Sequence, residues 1–260
     1  MTTQSQIAAF FRTILSAIGD YLTRTVSLFW VGSVVVALVV VPEFAQHVAE
    51  IRLGMFDSLA IGRSLANDPL RWAFGYAKLT GLALTFFASA RFWWCRAHGG
   101  RWYDIRRLGL GQLLLGFAAF FLIGSTGELF PLLADREPPI IVSILFSLLS
   151  FPFLFVMLAG LFGDRATPLR TILTRSWPWI LLLALLLPLA YAPLMLIHSL
   201  NHKWALGAPD ALVWALMVFD SLVVGLMASS VGAALFVAYD RFYKSIGTAR
   251  QETGDGGGKI

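Results

Sequence analysis

Charge is scarce in this chain, and the scarcity excludes more than any motif does. Only 13% of the 260 residues are Asp, Glu, Lys or Arg, against about 25% in soluble domains. Apolar residues make up 58%, where soluble domains hold roughly 45–50%. Cysteine is nearly missing. Cys95 is the one copy, so no internal disulfide can form and thiol oxidation has no structural part. The sequence carries no Walker loop, dinucleotide-binding loop or haem-attachment motif. A cleavable signal is lacking too. The residues before Leu28 are polar-rich and amphipathic, without a charged start, a short apolar core and an Ala-x-Ala site, so the first apolar run is expected to be retained as a signal anchor.

Long apolar runs are abundant. A membrane helix needs about 20 mostly apolar residues to cross a hydrocarbon core of about 30 Å. Six such runs are expected as spans, at residues 27–41, 72–90, 108–127, 139–163, 177–197 and 211–239. The first is short, but residues 44–49 can extend it. The longest gap, residues 43–71, leaves no room for a soluble domain. The expected fold is therefore an all-α integral membrane protein, a six-helix transmembrane bundle forming a single membrane domain over residues 1–246.

The basic residues sort by gap. With the N-terminus inside, 14 of the 20 Lys and Arg residues fall on the inner side and five, Arg52, Arg63, Arg71, Arg136 and Lys203, outside. Acidic residues lean outward: Glu43, Glu50, Asp57, Asp68, Glu128, Asp135, Glu137 and Asp210. The bias of Lys and Arg toward cytoplasmic loops sets orientation, so both termini are expected in the cytoplasm of a bacterial inner membrane. The formal net charge of +5 then points to anionic lipid head groups on the cytoplasmic face and not to nucleic acid. Eight tryptophans, at positions 72, 93, 94, 102, 177, 179, 204 and 214, fall at expected span ends, where amphipathic rings settle.

Before the first span, Ile7, Phe10, Phe11, Ile14, Leu15, Ile18 and Leu22 recur at helical spacing opposite Arg12, Ser16 and Asp20. Residues 6–24 are read as an amphipathic interfacial helix. A second amphipathic segment follows Thr167-Pro168 and leads into Trp177-Pro178-Trp179. Two hairpins, spans one–two and five–six, share a local pattern around Trp72 and Trp214, which suggests an internal repeat. The glycine-rich tail at residues 247–260 is expected to be disordered.

Two ionisable residues lie deep inside the expected spans, Lys78 and Asp220. Each follows a boundary tryptophan by six residues, about 9 Å along a helix. A lone charge near the bilayer centre costs at least about 2.5–3.5 kcal/mol, so the two are expected to pair. The pair can act as a gate, substrate site or proton relay. It can equally fix which helices are neighbours, and Lys78 can also snorkel outward unpaired. Lys78, Gly81 and Thr85 share a face suited to close helix contact. Ser125, Thr126 and Glu128, set between glycines at the end of span three, are weaker candidates for holding a polar substrate. His198 and His202 stand four apart but lack a third ligand in sequence, and His47 and His98 fall on opposite sides. No metal, cofactor or catalytic residue is expected.

From residue 100 onward a basic stretch, Arg101–Arg107, leads into the third span. Phe153-Leu154-Phe155-Val156, Phe162-Gly163-Asp164-Arg165 and Thr167-Pro168-Leu169-Arg170 through Ser176-Trp177 follow. This stretch resembles bacterial six-span membrane proteins of the YciC-like and glycerophosphodiesterase membrane-domain type. It departs at Gly124–Gly127, where that family often carries a Pro-Gly turn. The resemblance implies an inner-membrane helical bundle without catalytic residues. The expected function is a non-enzymatic scaffold, assembly or accessory factor of the envelope, partnered by another membrane protein or by its own copies. The alternative is a small transporter or channel using Lys78 and Asp220.

Overall fold

A computed structural model describes residues 3–126 and 139–254, with side chains over 11–126 and 139–247. The described residues form helices and no strand. In order these are α1 (Thr3–Val31), α2 (Ser33–Arg52), α3 (Leu59–Ser64), α4 (Pro69–His98), α5 (Leu110–Gly124), α6 (Ile140–Phe162), α7 (Leu169–Arg175), α8 (Trp177–Ala205) and α9 (Asp210–Gly254). Four segments are long and apolar enough to cross a membrane: α2, α6, α8 and Asp210–Gly247 of α9. Helix α5 is apolar but shorter. Helix α4 is 30 residues long, but Arg71, Lys78, Arg91 and Arg96 along it dilute its hydropathy.

Two boundaries differ from those expected. The amphipathic segment and the start of the first expected span form one continuous helix, α1, which ends at Gly32. The helix breaks at Gly32, where a Cβ would meet Leu28 Cδ1 at 2.7 Å and Phe92 Cζ at 3.3 Å, so a larger residue there would have to displace those side chains. Helix α2 then runs past position 41 to Arg52, with Pro42 inside it. At the other end, α9 continues beyond position 247 to Gly254, because Ala249, Arg250, Gln251 and Glu252 are good helix formers. Residues 255–260 of the expected tail lie outside the described residues. Trp93 and Trp94, expected at a boundary, are buried, and the Arg24 guanidinium lies 5.0 Å from the Trp93 ring centroid.

The chain divides into two compact units, Met1–Trp93 with Leu185–Ala234, and Trp94–Ala184 with Leu235–Ile260. In the second, α5 and α6 pack backbone to backbone. A Cβ at Gly116 would strike the Met157 main chain, and one at Gly160 the main chain of Leu113. Asp164 anchors the same unit by accepting from the Thr167 hydroxyl at 2.6 Å and from the Tyr239 hydroxyl at 2.9 Å.

In the first unit, Val39 of α2 packs with Val223, Val224, Met227 and Ala228 of α9. Helices α2 and α4 approach closely at Gly81, where a Cβ would run into the Leu38 carbonyl oxygen. Thr85, one turn on, donates its hydroxyl to the Gly81 carbonyl at 2.8 Å. Gly81→Val is expected to lower unfolding stability by about 1–3 kcal/mol, the usual range for overpacking. Denaturant titration in mild detergent reads it, and a variant as stable as the parent would refute the contact.

Candidate functional site

Helix α2 presents Glu43, Gln46, His47 and Glu50 at spacings of three, four and seven, so all four lie on one helical face. All are buried, Glu43 and His47 completely. The start of α4 is fixed by Asp68, whose Oδ1 accepts from the amides of Leu70 at 2.8 Å and Arg71 at 3.4 Å, with Pro69 opening the helix. That cap sets the register of α4 against α2. Arg71 Nε then donates to Glu50 Oε1 at 3.1 Å. Two turns later, Lys78 Nζ donates to Glu43 Oε1 at 3.0 Å. The seven-residue step on each helix makes the two ion pairs an antiparallel match.

Helix α8 contributes His198, Asn201 and His202 by the same i, i+3, i+4 rule, and α9 contributes Asp220, which is fully buried. Asp220 Oδ2 lies 2.8 Å from His198 Nδ1, 3.1 Å from His47 Nε2 and 3.5 Å from His202 Nε2. Its Oδ1 accepts from Asn201 Nδ2 at 2.9 Å. His47 in turn places Nδ1 3.2 Å from Glu50 Oε2 and Nε2 3.3 Å from Glu43 Oε1. Gln46 Nε2 donates to Glu50 Oε1 at 2.8 Å.

The geometry sorts the sequence candidates. Lys78 and Asp220 belong to one cluster, but the direct pair expected between them is replaced by a chain of contacts, Lys78–Glu43–His47–Asp220. Pro42 explains the difference. It reads as a helix end, which would leave Glu43 and Glu50 as outer-loop charges; α2 instead carries both into the cluster, where Glu43 takes Lys78. Thr126 donates its hydroxyl to the Leu122 carbonyl of its own helix at 3.0 Å, and Ser125 ends α5. Glu128 lies outside the described residues.

Three carboxylates, Glu43, Glu50 and Asp220, face two permanent cations, Arg71 and Lys78. With neutral imidazoles the group is one negative charge in excess. Buried charge is stabilised only when it is compensated; protonation of His47, which faces all three carboxylates, balances the group, and so does a bound cation in its place. Two triads of ligand atoms, each mutually within 4.8 Å, mark where: His47/His202/Asp220 and Glu43/His198/Asp220. Among the described residues, Glu43 Oε2 is buried with no hydrogen-bond partner. A cavity of about 290 Å³ reaches the cluster from the loop side, lined by Glu50, Phe56, Arg63, Arg71, His202 and Lys203 among others. Gly207 N donates to Phe56 O at 2.7 Å, which ties the loop after α2 to the α8–α9 turn and forms one wall. Comparison with protein-family profiles, curated proteins and solved structures finds no match for this chain.

Proposed function

We propose that this chain is a polytopic inner-membrane protein that binds a cation at the Asp220 cluster and carries it across the bilayer by way of the cavity beside His202. The observation that carries this reading is the convergence of three imidazoles and a carboxamide on one fully buried carboxylate. The cluster joins α2, α4, α8 and α9, and three imidazoles and a carboxamide on one carboxylate exceed the single contact that fixing α9 would need. Ionisable groups at membrane depth characteristically mark ion and proton pathways. Six spans, with α4 and α5 joining the four more apolar helices, and both termini cytoplasmic complete the proposal. The alternation of Lys and Arg between gaps supports that orientation.

The test is cation flux in proteoliposomes, with protons, sodium and a divalent metal offered separately. The parent chain is expected to carry at least one cation well above the leak of empty vesicles. His202→Ala, which alters a half-buried side chain at the cavity, is expected to reduce that flux at least tenfold. Parent flux equal to empty vesicles for every cation overturns the reading and leaves the cluster as an internal lock of a non-enzymatic scaffold.

A further inference from the structure

The cation-site reading leaves the ion unnamed, and the ligand atoms narrow it. Resting on that reading, we infer that the first compact unit binds a divalent transition metal of the zinc class. Its ligands are Nε2 of His47, Nε2 of His202 and Oδ2 of Asp220, with a fourth position open toward the cavity.

Three features support this. The first is spacing. Tetrahedral zinc with bonds of about 2.0–2.1 Å holds its ligand atoms about 3.3 Å apart. The two nitrogens lie 3.1 and 3.5 Å from Asp220 Oδ2, on either side of that value. The second is saturation. A carboxylate oxygen offers two lone pairs, yet Oδ2 has three imidazole nitrogens within 3.5 Å. A cation among them turns the surplus contact into coordination. The third is the outer layer. His47 Nδ1 lies 3.2 Å from Glu50 Oε2, the carboxylate–histidine–metal arrangement that orients a ligating ring. Glu50 is itself held by Gln46 and Arg71.

Donor chemistry selects the class. Calcium and magnesium take all-oxygen shells, whereas imidazole-rich sites suit zinc, copper, nickel and iron. Arg71 and Lys78 do not oppose the ion, because their charge is paired with Glu50 and Glu43. The second triad, Glu43/His198/Asp220, shares Asp220 with the first. An ion passing between the two therefore keeps one ligand throughout, with a Glu43 carboxylate oxygen joining at the second station.

The experiment is equilibrium binding to the purified full chain in detergent, read by calorimetry with Zn²⁺ and by the visible spectrum of Co²⁺ displaced by Zn²⁺. One Zn²⁺ per chain is expected, with the intense visible absorption of tetrahedral cobalt. His202→Ala is expected to weaken binding on the order of 100-fold. Glu50→Gln, acting through the His47 ring, is expected to weaken it about 10–100-fold. His98→Ala, outside the cluster, leaves affinity unchanged. Helix content by circular dichroism confirms that each variant is folded, and His202→Gln replaces His202→Ala if that chain is not. No saturable Zn²⁺ binding by the parent, or His202 variants that bind as tightly as the parent, overturns the inference. Absent metal binding with sodium or proton flux intact removes the metal and keeps the transport reading. Metal binding without flux supports the site and removes transport.

Discussion

Asp220→Asn is expected to destabilise the protein by about 3–5 kcal/mol, the range for removing one partner of a buried charged group. The carboxylate is fully buried and holds side chains from two other helices, His47 of α2 and His198, Asn201 and His202 of α8. An asparagine offers one oxygen in place of two, and it turns a donor-bearing nitrogen toward groups that themselves need an acceptor. Neither change can be relieved by water at a site without exposure. The measurement is equilibrium unfolding in mixed micelles, by near-ultraviolet circular dichroism of the tryptophans. Ser221→Ala serves as the neighbouring control. Its hydroxyl donates only to the Met217 carbonyl of its own helix, at 2.8 Å, and its loss is expected to stay within about 1 kcal/mol. If Asp220→Asn falls in that same range, the convergence on Asp220 is not what holds α2, α8 and α9 together.

The second large effect distinguishes between the partners of Lys78. Lys78→Met leaves buried Glu43 with His47, 3.3 Å away, as its remaining partner, so a loss at the lower end of about 3–5 kcal/mol is expected. The double variant Lys78→Met/Glu43→Gln removes both charges and is expected to recover more than half of that loss. Exchanging the charges, Lys78→Glu with Glu43→Lys, is expected to recover part of it as well. Lys78→Asp with Asp220→Lys is expected to recover nothing, because it places a lysine among three imidazoles and leaves Glu43 beside a second carboxylate. Rescue by that last pair, with none by the first two, would show that Lys78 faces Asp220. A double-mutant cycle on unfolding stability reads the coupling directly.

The helical, apolar character of the chain is legible in composition alone, because a 13% charge content cannot cover a soluble surface. Lys78 and Asp220 also stand out, since membrane depth makes any charge conspicuous. Their partners are harder to read, for a local reason. Proline usually ends or kinks a helix; the first span reads as ending just before Pro42, and even with residues 44–49 extending it, Glu43 and Glu50 read as outer charges. Helix α2 continues, and Glu43, His47 and Glu50 change from surface charges into interior ones. The available signal was their spacing of four and three, which repeats in His198, Asn201 and His202. Spacing places residues on a face; only packing tells whether that face meets lipid or another helix. The two histidines of α8 lack a third ligand in their own sequence neighbourhood because the ligand arrives from α9, and His47 from α2. Sequence distance hides such a site. The cap at Asp68 and Pro69 is legible, but its consequence is not, since the pairing of Arg71 with Glu50 depends on the register it sets against another helix.

Pro42 also governs how the cluster is supported. Having no N–H, it cannot donate to the Leu38 carbonyl, the acceptor four residues back that a regular helix would satisfy. That same oxygen is the atom against which Gly81 of α4 is packed, close enough for a Cα–H···O contact of the kind seen between tightly packed helices. At this point α2 therefore exchanges a bond to itself for a contact with its neighbour. Helix α2 is anchored to α4 at three levels: Gly81 on Leu38 before the proline, and Lys78 on Glu43 and Arg71 on Glu50 after it. Val39, before the proline, also packs on α9, as His47 after it meets Asp220 of that helix. Helix α2 is thus continuous past Pro42, with a contact to α4 standing where its own hydrogen bond is lost.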